Sequence, residues 1–167
     1  MKVAITDDHR VVREGIRYML GDAPGVEVVG EAESGEEILA LVASEPVDVV
    51  LLDVRMPGMG GLDVLERLSA TAPQVRVLML SMHDQLAYVR RAIELGAAGY
   101  VLKSAGRDEL LTALRVAAEG GTYLPSELME PLVASMTGGV RSSGRLSPRE
   151  RQVLQLVADG YENKQVA

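Results

Sequence analysis

The sequence predicts an α/β protein built on a doubly wound, five-stranded parallel sheet, with a short helical extension at its C-terminal end. Apolar, β-branched runs alternate five times with segments of helical spacing. The runs around residues 5, 51 and 78 are almost continuously apolar, which is typical of strands buried on both faces. Repeated β-α units of this kind form a parallel sheet with right-handed crossovers and helices on both faces.

The elements follow one another along residues 1–121. Strands are predicted at 3–5, 26–29, 47–52, 75–80 and 100–102. Helices are predicted between and after them, because apolar residues recur there every three or four positions, at 12–20, 38–42, 62–68, 89–93 and 110–117. Gly21, Gly96 and Gly120 follow three of these stripes, where a helix should end.

Composition excludes several classes of function. The 167 residues include 24 acidic and 17 basic side chains, and the net charge of −7 argues against a general attraction to nucleic acid. The absence of cysteine excludes disulfides, thiolate catalysis and cysteine-bound metal centres. The start of the sequence is unlike a signal peptide, and no apolar run approaches the ~20 residues that span a bilayer. We therefore expect a cytoplasmic protein without a membrane segment.

Charge and composition divide the chain into three parts. Residues 1–121 contain 12 basic and 19 acidic side chains, whereas residues 122–167 contain 5 of each. We expect one compact domain at 1–121, a helix and a flexible linker at 122–145, and the start of a second domain at 146–167. Pro131 should kink the helix predicted within 122–145 or delay its start. The linker prediction rests on the Gly/Ser-rich run at 137–144.

Chemically useful residues end four of the five predicted strands. Asp7 and Asp8 end the first strand, Asp53 the third, Ser81 the fourth and Lys103 the fifth. In a sheet of order 2-1-3-4-5, strands one and three flank the point where the order reverses, and ligands bind beyond the carboxyl ends there. We therefore expect the three carboxylates to share one crevice.

This set of side chains suits a phosphoryl group beside a metal ion. Three neighbouring carboxylates repel one another unless a cation lies among them, and oxygen ligands with room for water suit Mg²⁺. A lysine and a hydroxyl nearby can bind an anion. A carboxylate can also accept a phosphoryl group itself and become an aspartyl phosphate.

Four segments of the sequence resemble a known family. They read VAITDDHRVVREGI, VVLLDVRMPGMGGLDVL, VLMLSMHD and AAGYVLKSA. Their order and spacing are similar to those of two-component response regulators of the LuxR/NarL class, whose receiver domain has a flavodoxin-like fold. The tail, LSPRERQVLQLVADGYENKQVA, resembles the opening of the LuxR-type helix-turn-helix domain, so we expect the chain to stop before the DNA-recognition helix.

The resemblance implies a phosphoacceptor site that holds magnesium. Asp53 would accept the phosphoryl group, and Lys103 would pair with it. Asp7, Asp8 and Asp53 would hold Mg²⁺, together with the backbone carbonyl of Arg55.

The resemblance also implies a switch and a pair of tuning residues. Ser81 would be the switch hydroxyl, and Tyr100 the switch aromatic that turns inward when the site is occupied. Arg55 and His83, two residues beyond Asp53 and Ser81, would set how fast the aspartyl phosphate hydrolyses.

The leading interpretation is a response regulator that switches dimerisation or output when Asp53 is phosphorylated, and so regulates transcription in the full-length protein. It is not an enzyme beyond slow removal of its own phosphate. Its expected partners are a sensor histidine kinase, a second copy of itself and, for the full-length protein only, promoter DNA. Two alternatives stay open: a binding module that works without phosphate, and a magnesium-dependent phosphatase with an aspartyl nucleophile.

Overall fold

The computed structural model describes residues 1–82 and 85–143, together with Arg151 and Gln155. Strands and helices alternate along these residues in the predicted order until two helices follow each other at the end. The elements are β1 Lys2–Thr6, α1 Arg10–Leu20, β2 Glu27–Ala32, α2 Gly35–Ser44, β3 Val49–Asp53, α3 Gly61–Thr71, β4 Arg76–Ser81, α4 Leu86–Glu94, β5 Gly99–Leu102, α5 Arg107–Ala118 and α6 Ser126–Ser143.

The five strands form one parallel sheet in the order β2-β1-β3-β4-β5, which confirms the predicted topology. In the middle of the sheet Ile5 lies opposite Leu51, and Leu51 lies opposite Leu78. Every residue of β3 is buried, because this central strand is covered on both faces. The order places the carboxyl ends of β1 and β3 side by side, where the polar strand-ending residues follow.

Each face of the sheet has its own apolar core. One core joins α1 and α5, through residues such as Ile16 and Leu114, to Val49 and Leu51 of β3. The other joins α2, α3, α4 and α6 to the alternate residues of the same strand. Successive side chains of a strand point to opposite faces, so a continuously apolar strand supplies both cores.

The extension after α5 differs from the prediction. The sequence predicts a flexible linker at 137–144, but α6 continues as a helix through Ser143. Its start is not delayed by Pro131 either, since the helix begins at Ser126 and contains the proline. The side chains of Leu128, Leu132 and Met136 are buried in the core beside α4. Packing of this apolar face stabilises a helix that glycine and proline disfavour by themselves.

The end of the chain lies mostly outside the described residues. Gly144 and the predicted domain at 146–167 fall there, apart from Arg151 and Gln155, which are helical and exposed. The boundaries predicted for that domain therefore stay a prediction. Within the described ranges, no helix, including the 18-residue α6, is both long and apolar enough to cross a bilayer.

A short backbone bridge ties the extension to the edge of the sheet. The Tyr123 N–H donates to the Ala98 carbonyl at 2.9 Å, and the Tyr100 N–H donates to the Tyr123 carbonyl at 3.0 Å. Gly99, with φ of +154°, allows this approach, because a Cβ there would collide with the Tyr123 carbonyl oxygen. The segment that leads into α6 is thus held against β5.

Candidate functional site

The three predicted carboxylates meet at one edge of the sheet. Asp7 and Asp8 follow β1 directly, and Asp53 is the last residue of the neighbouring β3. Single ligand atoms of these residues and of His9 all lie within 4.8 Å of one another. Asp7 is fully buried and Asp53 is 3% exposed. Two adjacent parallel strands that end at the same level bring about this cluster.

Lys103 places a positive charge inside the cluster. It follows β5, and its Nζ lies 2.6 Å from Asp7 Oδ2 and 3.1 Å from Asp53 Oδ2. Burial disfavours the charged form of this lysine, but the hydrogen bonds and charges of Asp7 and Asp53 outweigh burial and raise its pKa. Lys103 is therefore charged and shared between the two acids.

The carboxyl group of Asp53 has a raised pKa. Burial is the main cause, and the charge of Asp7 adds to it. Lys103 and the Arg55 N–H, which donates to Asp53 Oδ1 at 3.2 Å, act in the opposite direction. The site thus penalises a second negative charge, and a bound cation would relieve that penalty.

The side chains in this cluster fit a magnesium ion. Their donors are carboxylate oxygens from three different residues, which is the chemistry that Mg²⁺ prefers, while the single histidine lacks a second nitrogen or sulfur ligand that zinc sites use. Within the described part of the chain, buried Asp8 Oδ1 has no well-aligned hydrogen-bond donor, with His9 Nδ1 at 3.1 Å, and buried Asp7 Oδ2 has only the Lys103 ammonium, at 2.6 Å, while a carboxylate oxygen can accept from two partners. Both oxygens therefore have free capacity for a cation.

A close contact between α3 and the strand end fixes the backbone of Asp53. The Gly61 N–H donates to the Val54 carbonyl at 3.0 Å, and a Cβ on Gly61 would collide with the Asp53 carbonyl oxygen. Gly61 therefore allows α3 to pack closely against the site.

Ser81 and Tyr100 lie next to each other on the neighbouring strands β4 and β5. Ser81 ends β4 and is 8% exposed, and Tyr100 of β5 is fully buried. Burial raises the pKa of the Tyr100 hydroxyl, and the neighbouring Ser81 hydroxyl opposes this shift. Tyr100 thus occupies the inward position, in contact with the residue predicted to sense the phosphoryl group.

The two predicted tuning residues have different outcomes. Arg55 is exposed, and its guanidinium lies 5.4 Å from the centre of the Tyr88 ring of α4, in the range of a cation–π contact. It therefore links the loop after Asp53 to α4. His83 lies outside the described residues, so its position and role stay a prediction.

Two further residues of the site were missed by the sequence reasoning. The His9 N–H donates to Asp7 Oδ1 at 2.8 Å, and its Nδ1 lies 3.1 Å from Asp8 Oδ1. Arg13 is buried on α1, and its Nη1 donates to the Asp7 carbonyl at 2.7 Å. A signal for Arg13 exists in the sequence, because helical spacing puts it on the same face as apolar Ile16 and Leu20.

Comparisons with known proteins identify relatives of both parts of the chain. The family model of the response regulator receiver domain matches residues 3–115, and that of the bacterial regulatory proteins of the luxR family matches residues 144–167. The nitrate/nitrite response regulator protein NarL of Escherichia coli is 37% identical over 169 residues, which cover 99% of this chain and 78% of NarL.

Two solved structures are also similar. The signal receiver domain of the response regulator NarL from Mycobacterium tuberculosis is 41% identical over 71% of this chain and 96% of its own, with a TM-score of 0.68. A structure described as two RcsB dimers bound to two parallel DNAs is 30% identical over 96% of this chain and 77% of its own, with a TM-score of 0.73.

Proposed function

This chain belongs to the two-component response regulators that join a receiver domain to a LuxR-type domain and regulate transcription, and we propose that Asp53 is the residue that accepts its phosphoryl group. The observation that carries the proposal is the geometry around Asp53. Its carboxylate is the only one of the three that lies at the end of β3, and it contacts both Lys103 and the Arg55 N–H.

The proposed transfer step uses this geometry. A carboxylate oxygen of Asp53 attacks the phosphorus of a phosphohistidine on a sensor kinase. A P–O bond forms as the P–N bond breaks, and the released imidazole takes up a proton from solvent. Lys103, 3.1 Å from Asp53 Oδ2, pairs with the oxygens of the arriving group. Asp7, Asp8, Asp53 and the Arg55 carbonyl would hold Mg²⁺, which supplies positive charge to the phosphoryl oxygens when bound.

The signal passes from Asp53 to the far side of the sheet through two hydroxyl groups. Ser81 lies close enough to Tyr100 to oppose the rise of its pKa. A hydroxyl has one donor and two acceptor positions, so Ser81 can donate to a phosphoryl oxygen while it accepts from the Tyr100 hydroxyl. Phosphorylation would then favour the inward position of Tyr100 over an outward one, and so select one arrangement of the surface that β5 presents with its neighbouring helices.

The proposed partners follow from the family. They are a sensor histidine kinase as the donor, a second copy of the chain after phosphorylation, and promoter DNA for the full-length protein. The similarity to RcsB, whose dimers are described as bound to DNA, supports the last two. The chain would act in the cytoplasm as a phosphoacceptor, with no more catalysis than slow hydrolysis of its own aspartyl phosphate by a water molecule that Arg55 and His83 admit or exclude.

Intact mass spectrometry after incubation with acetyl phosphate tests the assignment of Asp53. We expect the wild-type chain to gain the mass of one phosphoryl group when Mg²⁺ is present and to lose that gain when EDTA removes the metal. Asp53→Asn should gain nothing, because an amide cannot form the acyl phosphate. Asp63→Asn is the matched control, since it removes the same charge from an exposed position of α3.

Two results would contradict the proposal. Asp53→Asn that gains phosphate at the wild-type rate would move the acceptor to another residue. A wild-type gain that is insensitive to EDTA would remove magnesium from the reaction.

A further inference from the structure

Arg13 is a buried cation whose position the phosphoacceptor function does not by itself explain. It lies one turn into α1 and is 6% exposed, on the same face as Ile16 and Leu20. A buried charge is costly unless it is paired and hydrogen-bonded. Its contacts therefore decide what this residue does.

The guanidinium of Arg13 makes three contacts, each to a different segment. Nη1 donates to the Asp7 carbonyl at 2.7 Å, Nη2 donates to Glu33 Oε1 at 2.7 Å, and Nε donates to Glu31 Oε2 at 3.4 Å. The first two are short, charge-assisted hydrogen bonds. Arg13 thus connects the acidic end of β1 to the end of β2 and the loop after it.

The charges around Arg13 are balanced without the acidic cluster. Glu31 pairs with Arg13 and also with Arg17, whose Nη1 lies 2.7 Å from Glu31 Oε1. Two arginines therefore face two glutamates, Glu31 and Glu33. Because these carboxylates neutralise Arg13, its effect on Asp7 comes through the hydrogen bond to the carbonyl more than through its net charge.

The contact between Arg13 and Asp7 supplies a hydrogen bond where the pairing of β1 with β2 ends. The register of β1 with β2 stops at Thr6 opposite Ala32, and the Asp7 N–H makes one last bond to the Ala32 carbonyl at 3.2 Å. The Asp7 carbonyl is then held by Arg13. That carbonyl lies in one planar peptide group with the Asp8 N–H, so fixing it also fixes the direction in which Asp8 leaves the strand.

We propose that Arg13 is a positioning residue for the magnesium site, which holds the peptide group between Asp7 and Asp8 so that both carboxylates face the same ion. The inference rests on the proposed function and extends it to a residue that touches neither the phosphoryl group nor the metal. Residues that orient metal ligands in this way contribute strongly to affinity, and removing one typically costs about 10- to 100-fold.

Calorimetric titration with MgCl₂ of the unphosphorylated chain tests the proposal. Arg13→Gln should weaken the affinity for Mg²⁺ by about 10-fold or more. Arg17→Gln is the matched control, because Arg17 pairs with the same Glu31 from the same helix but is exposed. It should change the affinity by no more than about twofold, as expected for an exposed ion pair.

The direction of the change separates positioning from a simple charge effect. Loss of a positive charge beside an acidic cluster attracts a cation more strongly, so a purely electrostatic Arg13 predicts tighter Mg²⁺ binding in Arg13→Gln. A purely structural Arg13 predicts a lower melting temperature with unchanged affinity. Leu20→Ala, a core variant at the other end of α1, shows what destabilisation alone does to the affinity.

A double variant keeps the test decisive if Arg13→Gln does not fold. Arg13→Gln combined with Glu33→Gln leaves the Arg17–Glu31 pair intact and the local charge balanced. It should still bind Mg²⁺ about 10-fold more weakly, while Glu33→Gln alone should bind it normally. Unchanged or tighter Mg²⁺ binding in the variants that lack Arg13 would overturn only this inference and leave the proposed function standing. A wild-type chain that binds no Mg²⁺ would instead overturn the magnesium part of the proposed function, and the inference with it.

Discussion

At Asp53, the metal-free site disfavours the charged form of a carboxyl group. Burial and the charge of Asp7 raise its pKa, and Lys103 compensates only in part. Lys103 must also serve Asp7, which lies 2.6 Å from its Nζ. A site with three acids and one shared lysine is therefore short of positive charge, and a metal ion supplies what is lacking. The same imbalance predicts how the stability of the metal-free protein depends on pH.

We expect Asp53→Asn to stabilise the metal-free protein at neutral pH. A carboxyl whose pKa is raised by folding stabilises the fold fully below its unfolded pKa, and this contribution is lost as pH rises through the folded pKa. At neutral pH the ionised Asp53 carboxylate therefore lowers the free energy of unfolding, and an amide at this position removes that effect. Thermal unfolding in EDTA should show a higher melting temperature, by about 2–4 °C for each kcal/mol gained.

The gain should shrink as the pH falls through the raised pKa of Asp53 in the folded protein, because the wild-type carboxyl is then protonated as well. Asp63→Asn, which removes an exposed charge of the same sign, should not reproduce this pH dependence. A melting temperature of Asp53→Asn at or below that of the wild type at neutral pH would contradict the expectation.

At the scale of elements, the bridge between β5 and Tyr123 depends on the glycine that precedes Tyr100. Tyr123 bonds to the backbone on both sides of Gly99, and its hydroxyl donates to Glu109 Oε1 of α5 at 2.9 Å. That hydrogen bond and burial raise the pKa of the Tyr123 hydroxyl, with burial the larger cause. The segment before α6 is thus attached both to the sheet and to α5.

The same substitution should have opposite effects at two glycines. Gly99→Ala should destabilise the protein by about 2 kcal/mol or more, because its φ is unfavourable for alanine and the new Cβ would meet the Tyr123 carbonyl. Gly15→Ala, in open space in the middle of α1, should stabilise it by about 0.5–1 kcal/mol. Urea unfolding of both variants measures the difference, and a neutral Gly99→Ala would show that the bridge is dispensable.

At the scale of the whole molecule, α6 extends the core of the sheet beyond the domain predicted at 1–121. Its buried residues Leu128, Leu132 and Met136 belong to the same core as Val89 and Ile93 of α4. Tyr100, the predicted switch aromatic, lies in that core as well. The helix that leads toward the LuxR-type domain therefore packs directly against the elements through which we expect the phosphorylation signal to pass.

Leu132→Ala should lower the free energy of unfolding by about 2–5 kcal/mol, the usual cost of deleting a fully buried leucine side chain. Thr137→Ala, on the exposed side of the same helix, should change it little. Chemical denaturation of both variants, each followed through a single unfolding transition, measures these changes in the free energy of unfolding. A loss below about 0.5 kcal/mol for Leu132→Ala would mean that α6 is not part of the cooperative core.

The sequence by itself determined the parallel sheet and the acids at its edge, and the resemblance to a family supplied the strand order. Continuous apolar runs, helical spacing and polar residues at strand ends are local patterns, and parallel β-α topology brings the strand ends together in a predictable way. For that reason Asp7, Asp8, Asp53 and Lys103 could be placed in one site before any contact was known.

Only the tertiary structure decided which distant residues support that site. The sequence placed Arg13 on a helix, but its partners Glu31 and Glu33 are 18 and 20 residues away and are chosen by how α1 packs on β2. In the same way, the Gly/Ser-rich residues that favour a linker by themselves are part of α6, because Leu132 and its neighbours are buried in the core. Local pattern sets which structures a segment can form, and burial against the rest of the chain selects among them.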